Sequence, residues 1–197
     1  MVRVPTTARV AGAMTQWLIW LARVKPEWNV DLTYTASFGI AAGRNMMTRE
    51  LMESDCTHLW MLDSDTVPPY SLHLTDNAKQ FSILCGPYVG CMDGNTFWNV
   101  YKNINRKYIP IPRRKWPKER VFRADAAGSG CMLIRREVFD RLSNDPWEYE
   151  DSGNGQLGTE DLYFCNKVGG VYIDSHYSCR HYRETDLLDV AKIQAGK

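Results

Sequence analysis

His58-Leu59-Trp60-Met61-Leu62-Asp63-Ser64-Asp65 is the stretch on which the fold turns. Its first five residues are mostly apolar and read as a short strand, and the run stops on two carboxylates with one residue between them. Charged groups at the end of a buried strand are costly unless they are hydrated, paired or bound to a metal. A solvated acidic turn would satisfy them. So would Mn²⁺ or Mg²⁺, since two carboxylates this close make a hard-oxygen site, and such a cation would neutralise a diphosphate.

Upstream of that strand the chain alternates. Met1 to Val4 is β-prone and ends at Pro5-Thr6-Thr7. Val10, Met14, Trp17, Leu18, Leu21 and Val24 recur at helical spacing, and Pro26 stops that helix. Val30 to Thr35 predicts a second strand, and Ile40 to Met52 a second helix with Ile40, Met47 and Leu51 inward. Strand and helix in alternation predict an α/β fold, with a mostly parallel central sheet flanked by helices. Ligands bind such sheets at the carboxyl ends of strands, so Pro5-Thr6-Thr7 and Asp63-Ser64-Asp65 are expected to line one cleft.

Downstream, Pro68-Pro69 precedes a helix expected over Tyr70 to Gln80 and a strand at Phe81 to Cys85. Gly86 to Arg123 reads as irregular, rich in Gly, Pro, Asn and charge, and a connection of that length is usually functional or mobile. Regular structure is expected again at Cys131 to Ile134 (strand), Arg136 to Leu142 (helix), Glu160 to Val168 (helix) and Val171 to Ile173 (strand). Asp145 to Gly158 reads as a polar, glycine-rich loop, and the tail from Glu184 as a fraying helix.

The 197 residues suit one domain, and 44% hydrophobic with 24% charged residues is ordinary for a globular chain with a real core. No apolar stretch approaches the roughly 18 residues that cross a membrane. Nor does a basic start, apolar core and small-residue cleavage site occur in that order, so the chain reads as cytoplasmic. The six cysteines are scattered without a C-x-x-C pair, which predicts buried free thiols.

Other segments carry chemical potential of their own. Gly128-Ser129-Gly130 lets a ligand approach the backbone, or is simply a tight turn. Gly158-Thr159-Glu160-Asp161 opens a helix, where acids complement the dipole or supply a catalytic base. Asp174 to His181 follows the last strand with two histidines.

Taken in order, Val4-Pro5-Thr6-Thr7, Gly43-Arg44-Asn45, Leu62-Asp63-Ser64-Asp65 and Cys85-Gly86-Pro87-Tyr88 resemble motifs of the GT-A glycosyltransferases. Gly128 to Arg136, Gly158 to Cys165 and His181 continue the series. The resemblance is to the large inverting group akin to glycosyltransferase family 2, familiar in bacteria and bacteriophages, and runs from about residue 2 to 182. It implies a single GT-A (Rossmann-like) domain over residues 1–183 and a tail over 184–197. It implies a UDP- or GDP-sugar donor contacted by Pro5, Thr6, Thr7, Arg44, Asn45, Asp63, Ser64, Gly128, Ser129 and Gly130. It further implies that Asp65 holds Mn²⁺ or Mg²⁺, with Asp63 and His181 as further ligands. Asp161 would be the base that deprotonates the acceptor hydroxyl, and Glu160 its substitute. The Gln-x-x-Arg-Trp motif of processive synthases is absent, which favours a single transfer per encounter.

Lys102 to Arg123 holds nine basic residues against Glu119, a net +8 that leaves −7 for the rest of a chain of overall charge +1. Tyr108, Trp116 and Phe122 are interleaved with these cations. Cations with aromatics suit a nucleic acid strand, including modified phage DNA, or an anionic glycan, and Arg113, Arg114, Lys115 and Trp116 are the expected acceptor contacts. A solvated loop closing on the donor diphosphate is the plainer alternative. Two rival functions remain at this stage. Asp63-Ser64-Asp65-Thr66-Val67 matches the signature of haloacid dehalogenase phosphatases, although two strand-helix units precede it. A non-catalytic nucleic-acid-binding protein on a degenerate transferase fold is the other.

Overall fold

The computed structural model describes residues 1–6, 12–34, 39–92, 94–105, 107–143, 145–149 and 158–182. Thr7 and the expected tail helix beyond Glu184 lie outside the described residues.

The chain runs β1 (Val2–Thr6), α1 (Gly12–Val24), β2 (Val30–Tyr34), α2 (Ile40–Glu53), β3 (His58–Leu62) and β4 (Thr66–Val67). Next come α3 (His73–Asn77), β5 (Ile83–Cys85), β6 (Val89–Met92), β7 (Asn95–Trp98), β8 (Val100–Ile104) and β9 (Lys107–Pro110). A 3-10 turn at Arg113–Lys115 leads to β10 (Val121–Ala124), β11 (Ala126–Ala127), β12 (Cys131–Arg135) and α4 (Arg136–Phe139). Then follow α5 (Glu160–Lys167), β13 (Val171–Asp174) and β14 (Arg180–His181).

Among the described residues, seven strands form one sheet in the order β10-β13-β5-β12-β3-β1-β2. β1, β2, β3, β5 and β13 point the same way, while β12 and β10 run against them. The sheet is therefore mixed, with its largest set of strands parallel. Reversal of β12 has a positional consequence: its start meets the end of β3, Cys131 pairing with Leu62.

Period-2 alternation sends neighbouring side chains to opposite faces. Leu59 and Met61 of β3 join one core with Met47 and Leu51 of α2 and Phe164 of α5. Trp60 and Leu62 join another with Met14, Trp17 and Leu21 of α1 and Leu74 of α3. β5 and β12 divide their residues likewise, so the sheet is covered on both sides. Complete burial of each such large side chain stabilises by roughly 1.5–3 kcal/mol. β2 returns across β1 to β3 through α2, on the face opposite α1, as right-handed crossovers require.

Two expectations are corrected. Gly86 to Arg123 is not irregular: β6 pairs with β7 and β8 with β9 as antiparallel hairpins, and β10 joins the main sheet. These strands have four or five residues, and Asn95, Lys102, Asn103, Lys107 and Arg123 lie within them, so the segment's composition resembles that of a loop. The helix expected over Tyr70 to Gln80 shrinks to His73–Asn77. Ser71 Oγ accepts the His73 N–H at 3.2 Å and the Thr75 hydroxyl donates to the Leu72 carbonyl at 2.7 Å, local bonds that compete with a longer helix. All six cysteines are free, and Cys85, Cys131, Cys165 and Cys179 are buried. Among the described residues no helix is long and apolar enough to cross a membrane.

Candidate active site

The strand end is fixed by backbone bonds before any side chain is considered. The Asp63 N–H donates to the Gly130 carbonyl at 2.9 Å and the Thr66 N–H to the Asp63 carbonyl at 3.0 Å. β4 then pairs with β14, His181 opposite Thr66, and the Tyr182 N–H donates to the Asp65 carbonyl at 2.7 Å. Residues more than a hundred positions apart thus flank one turn.

His181 is nearly buried, and its Nδ1 lies 2.8 Å from the Val89 carbonyl, the geometry of an Nδ1–H donor. That leaves Nε2 facing Asp65 Oδ2 at 3.4 Å. Burial pushes the imidazole pKa down, but the Asp65 carboxylate and the Val89 carbonyl outweigh it and the net shift is upward. Tyr88 packs edge-on to the same ring at 5.2 Å.

Asp161, in the first turn of α5, accepts the Leu162 N–H at 3.1 Å and the Ser129 N–H at 3.4 Å. Gly130 donates its N–H to the Tyr88 hydroxyl at 3.2 Å. Both flanking glycines are sterically required. A Cβ on Gly128 would run into the Tyr88 hydroxyl, and one on Gly130 would come within 2.9 Å of Asp63 Oδ2. Among the described residues the buried Ser129 hydroxyl has no hydrogen-bond partner.

Arg44 and Asn45, expected as nucleotide contacts, both make bonds within the protein. Arg44, with its side chain 3% exposed, donates to Asp63 Oδ1 at 3.0 Å and pairs with Glu160. Burial opposes its charge, while Asp63 and Glu160 more than restore it. Burial raises both carboxyl pKa values against the pull of Arg44. Asn45 donates to the Trp147 carbonyl at 2.8 Å and accepts the Trp147 N–H at 3.0 Å. Both residues are engaged inside the protein, and Glu160 with them, so a ligand contact from either Arg44 or Asn45 would require these pairs to open.

A cavity of about 510 Å³ opens at this end of the sheet, and Asp63, Asp65, Asp161 and His181 all line it. Phe97 of β7, Tyr101 of β8 and Tyr108 of β9 line it too, which reading the sequence missed as cavity residues. One signal could have found the hairpin that carries Phe97: Asp93-Gly94, a frequent hairpin turn. Pro5 and Thr6 end β1, whose Val2 and Arg3 pair with Trp60 and Met61 of β3, and they are not among the described residues lining the cavity. Ser64 is half-buried in the turn between the two carboxylates.

The basic residues expected to meet an acceptor do not line this cavity. Arg113 packs against the edge-to-face pair Trp98 and Trp116, its guanidinium 5.0 and 4.5 Å from the two rings, and bonds Ser178 Oγ and the Ser175 carbonyl. Trp116 donates its indole N–H to the Ile111 carbonyl at 3.0 Å. Arg114 and Lys115 are exposed.

Among the described residues, no group of three His, Cys, Asp or Glu side chains is placed to hold a metal ion. Asp65 and His181 form a pair of donors, with the second imidazole nitrogen anchored on a carbonyl as metal-ligating histidines usually are. Such a pair fits Mg²⁺ or Mn²⁺ of the type held by one or two protein groups plus substrate phosphates.

No family model matches the chain. The fold is similar to the crystal structure of A197 from STIV, with a TM-score of 0.66 and 18% identity over 93% of this chain and 85% of that one. It is also similar to apo-UDP-glucose pyrophosphorylase, with a TM-score of 0.50 and 11% identity over 92% of this chain and 74% of that one. Among curated proteins, 80 residues are 29% identical to dolichyl-phosphate-mannose–protein mannosyltransferase 6 of Candida albicans. That match covers 36% of this chain, which spans 10% of the relative's length. The mixed α/β fold is shared with both of these structures.

Proposed function

We propose that the protein is a metal-assisted glycosyltransferase that moves a sugar from a UDP- or GDP-sugar to an acceptor hydroxyl. The observation that carries this reading is the convergence of Asp63, Asp65, Asp161 and His181 on one cavity at the carboxyl ends of the strands. The mannosyltransferase likeness and the sugar-nucleotide enzyme of similar fold support it.

Asp161 is oriented by two backbone N–H groups and takes the proton of the acceptor hydroxyl. The freed oxygen forms a bond to the anomeric carbon. The carbon–oxygen bond to the diphosphate breaks, and its electron pair leaves with the nucleoside diphosphate. Attack opposite the leaving group inverts the anomeric centre. Asp65 and His181 would hold Mn²⁺ or Mg²⁺, which supplies charge neutralisation at the diphosphate. Arg44 holds Asp63 and Glu160 in register beneath the cavity.

Nucleotidyl transfer, the chemistry of a pyrophosphorylase, is the reading to weigh against this one. It brings a triphosphate and a sugar phosphate together, and no Lys or Arg is among the described residues lining the cavity. Glycosyl transfer needs one diphosphate neutralised and one proton removed, which fits the groups present. Phosphatase chemistry would need Asp63 as a free nucleophile, whereas Asp63 is tied to Arg44.

A thermal-shift series with UDP- and GDP-sugars, with and without Mn²⁺, tests the assignment. A ligand at a hundred times its Kd stabilises the native state by about 2.7 kcal/mol. Stabilisation is expected only with metal and is expected to vanish in Asp65→Ala. Asp161→Asn should keep the shift and lose about 10²–10⁴-fold in turnover. Equal shifts in wild type and Asp65→Ala would end the metal assignment.

A further inference from the structure

We propose that the aromatic wall of the carboxylate-lined cavity is an acceptor subsite for an uncharged saccharide, and that a nucleic acid strand is kept out of the cavity. The inference rests on the glycosyltransferase reading and names the acceptor class of the same site.

Two hairpins build the wall, and their register sorts its residues. In β8 and β9, Tyr101 pairs with Pro110 and Asn103 with Tyr108, while Lys102 pairs with Ile109 and Ile104 with Lys107. Alternation puts these pairs on opposite faces of the hairpin. Tyr101, Tyr108 and Pro110 line the cavity, whereas Lys102 and Lys107 belong to the exposed set on the other face. In the other hairpin Gly90 pairs with Phe97, and a Cβ on Gly90 would stand 2.9 Å from the Phe97 ring. The glycine is what lets that ring fold over the strand and reach the cavity.

Charge then selects the ligand. The described lining presents Asp63, Asp65 and Asp161 and no Lys or Arg. Arg44 offsets Asp63 and His181 offsets Asp65, so the described lining holds no surplus cation for a chain of phosphates, and a polyanion gains nothing there. The basic segment does not reverse this. Arg113 packs on Trp98 and Trp116, Arg120 bonds Asp174 at 3.1 and 2.9 Å, and Arg123 bonds the Gly169 carbonyl. These cations are engaged in holding the fold. What the cavity does offer is flat apolar rings together with hydrogen-bonding carboxylates, an arrangement suited to a neutral polyhydroxylated ring. The Tyr101 hydroxyl donates to Asn99 Oδ1 at 2.6 Å, which leaves its oxygen free to accept from such a ring. An acceptor hydroxyl lying between the wall and Asp161 would give up its proton to that carboxylate as its oxygen bonds the anomeric carbon.

Saturation-transfer NMR on the whole chain, with Mn²⁺ and UDP or GDP present, tests the wall. The probes are maltose, cellobiose, mannobiose and chitobiose, with a DNA duplex carrying hydroxymethylcytosine as competitor. At least one disaccharide is expected to bind, to weaken tenfold or more in Tyr108→Ala and in Phe97→Leu, and to be retained in Tyr108→Phe and in Lys118→Ala. Excess duplex is expected not to displace it. Binding that survives both ring deletions, or duplex that displaces the sugar, would overturn the proposal, as would no disaccharide binding in a protein that still shows the metal-dependent nucleotide shift. If saccharide binds through the wall but no nucleotide sugar shifts the melt, the transferase reading fails and the saccharide wall stands.

Discussion

A guanidinium bridging two carboxylates, almost wholly out of water, joins the end of β3 to the start of α5. Neither Asp63 nor Glu160 would be comfortable without it, since burial already pushes both carboxyl pKa values up. Removing one member of a buried ion cluster leaves the others uncompensated and costs about 3–5 kcal/mol. Arg44→Met is therefore expected to lose stability of that order in guanidinium denaturation. Arg44→Lys should recover only part of it, because one ammonium cannot reproduce the two-armed geometry. The Ser129 hydroxyl is the opposite case, a buried group left unmatched among the described residues beside the same site.

At the scale of elements, the turn before β12 is held by contact rather than by propensity. Gly128 approaches the Tyr88 side chain so closely that an added methyl would meet its hydroxyl and lie 2.9 Å from Cζ. Gly128→Ala is expected to cost about 1–3 kcal/mol by overpacking. Combined with Tyr88→Phe the cost should fall below the sum of the two single changes, and a double-mutant cycle in urea measures the difference. The main-sheet strands other than β10 were legible as short β-prone runs bounded by turn residues, and α1 from apolar residues at helical spacing; Ile40 of α2, expected inward, is exposed. The hairpins were not legible, because Lys102, Asn103 and Lys107 give their strands the composition of a loop. Among site residues, Asp63, Asp65, Asp161 and His181 could be singled out from motif order, and the structure brings them together. Arg44, in α2, could be read two ways, because a cation suits a phosphate as well as it suits an internal carboxylate. Only the fold distinguishes the two.

At the scale of the molecule, charge is separated by function. Much of the positive charge is gathered on the 102–123 segment, partly tied into the fold, and the described cavity lining holds no Lys or Arg. The site itself is divided between distant parts of the chain. Asp63 and Asp65 come before the hairpins; Asp161 and His181 come after them. β12, from the later part, lies between β3 and β5 from the earlier part. The two portions therefore interleave like cut cards, and neither can present the pocket alone. Cleaving the chain at Gly94 and producing residues 1–93 and 94–197 separately should give two pieces, each lacking cooperative melting. Mixed, they are expected to regain one melting transition and the nucleotide-sugar shift together, so that recovery of ligand response reports reassembly of the whole sheet.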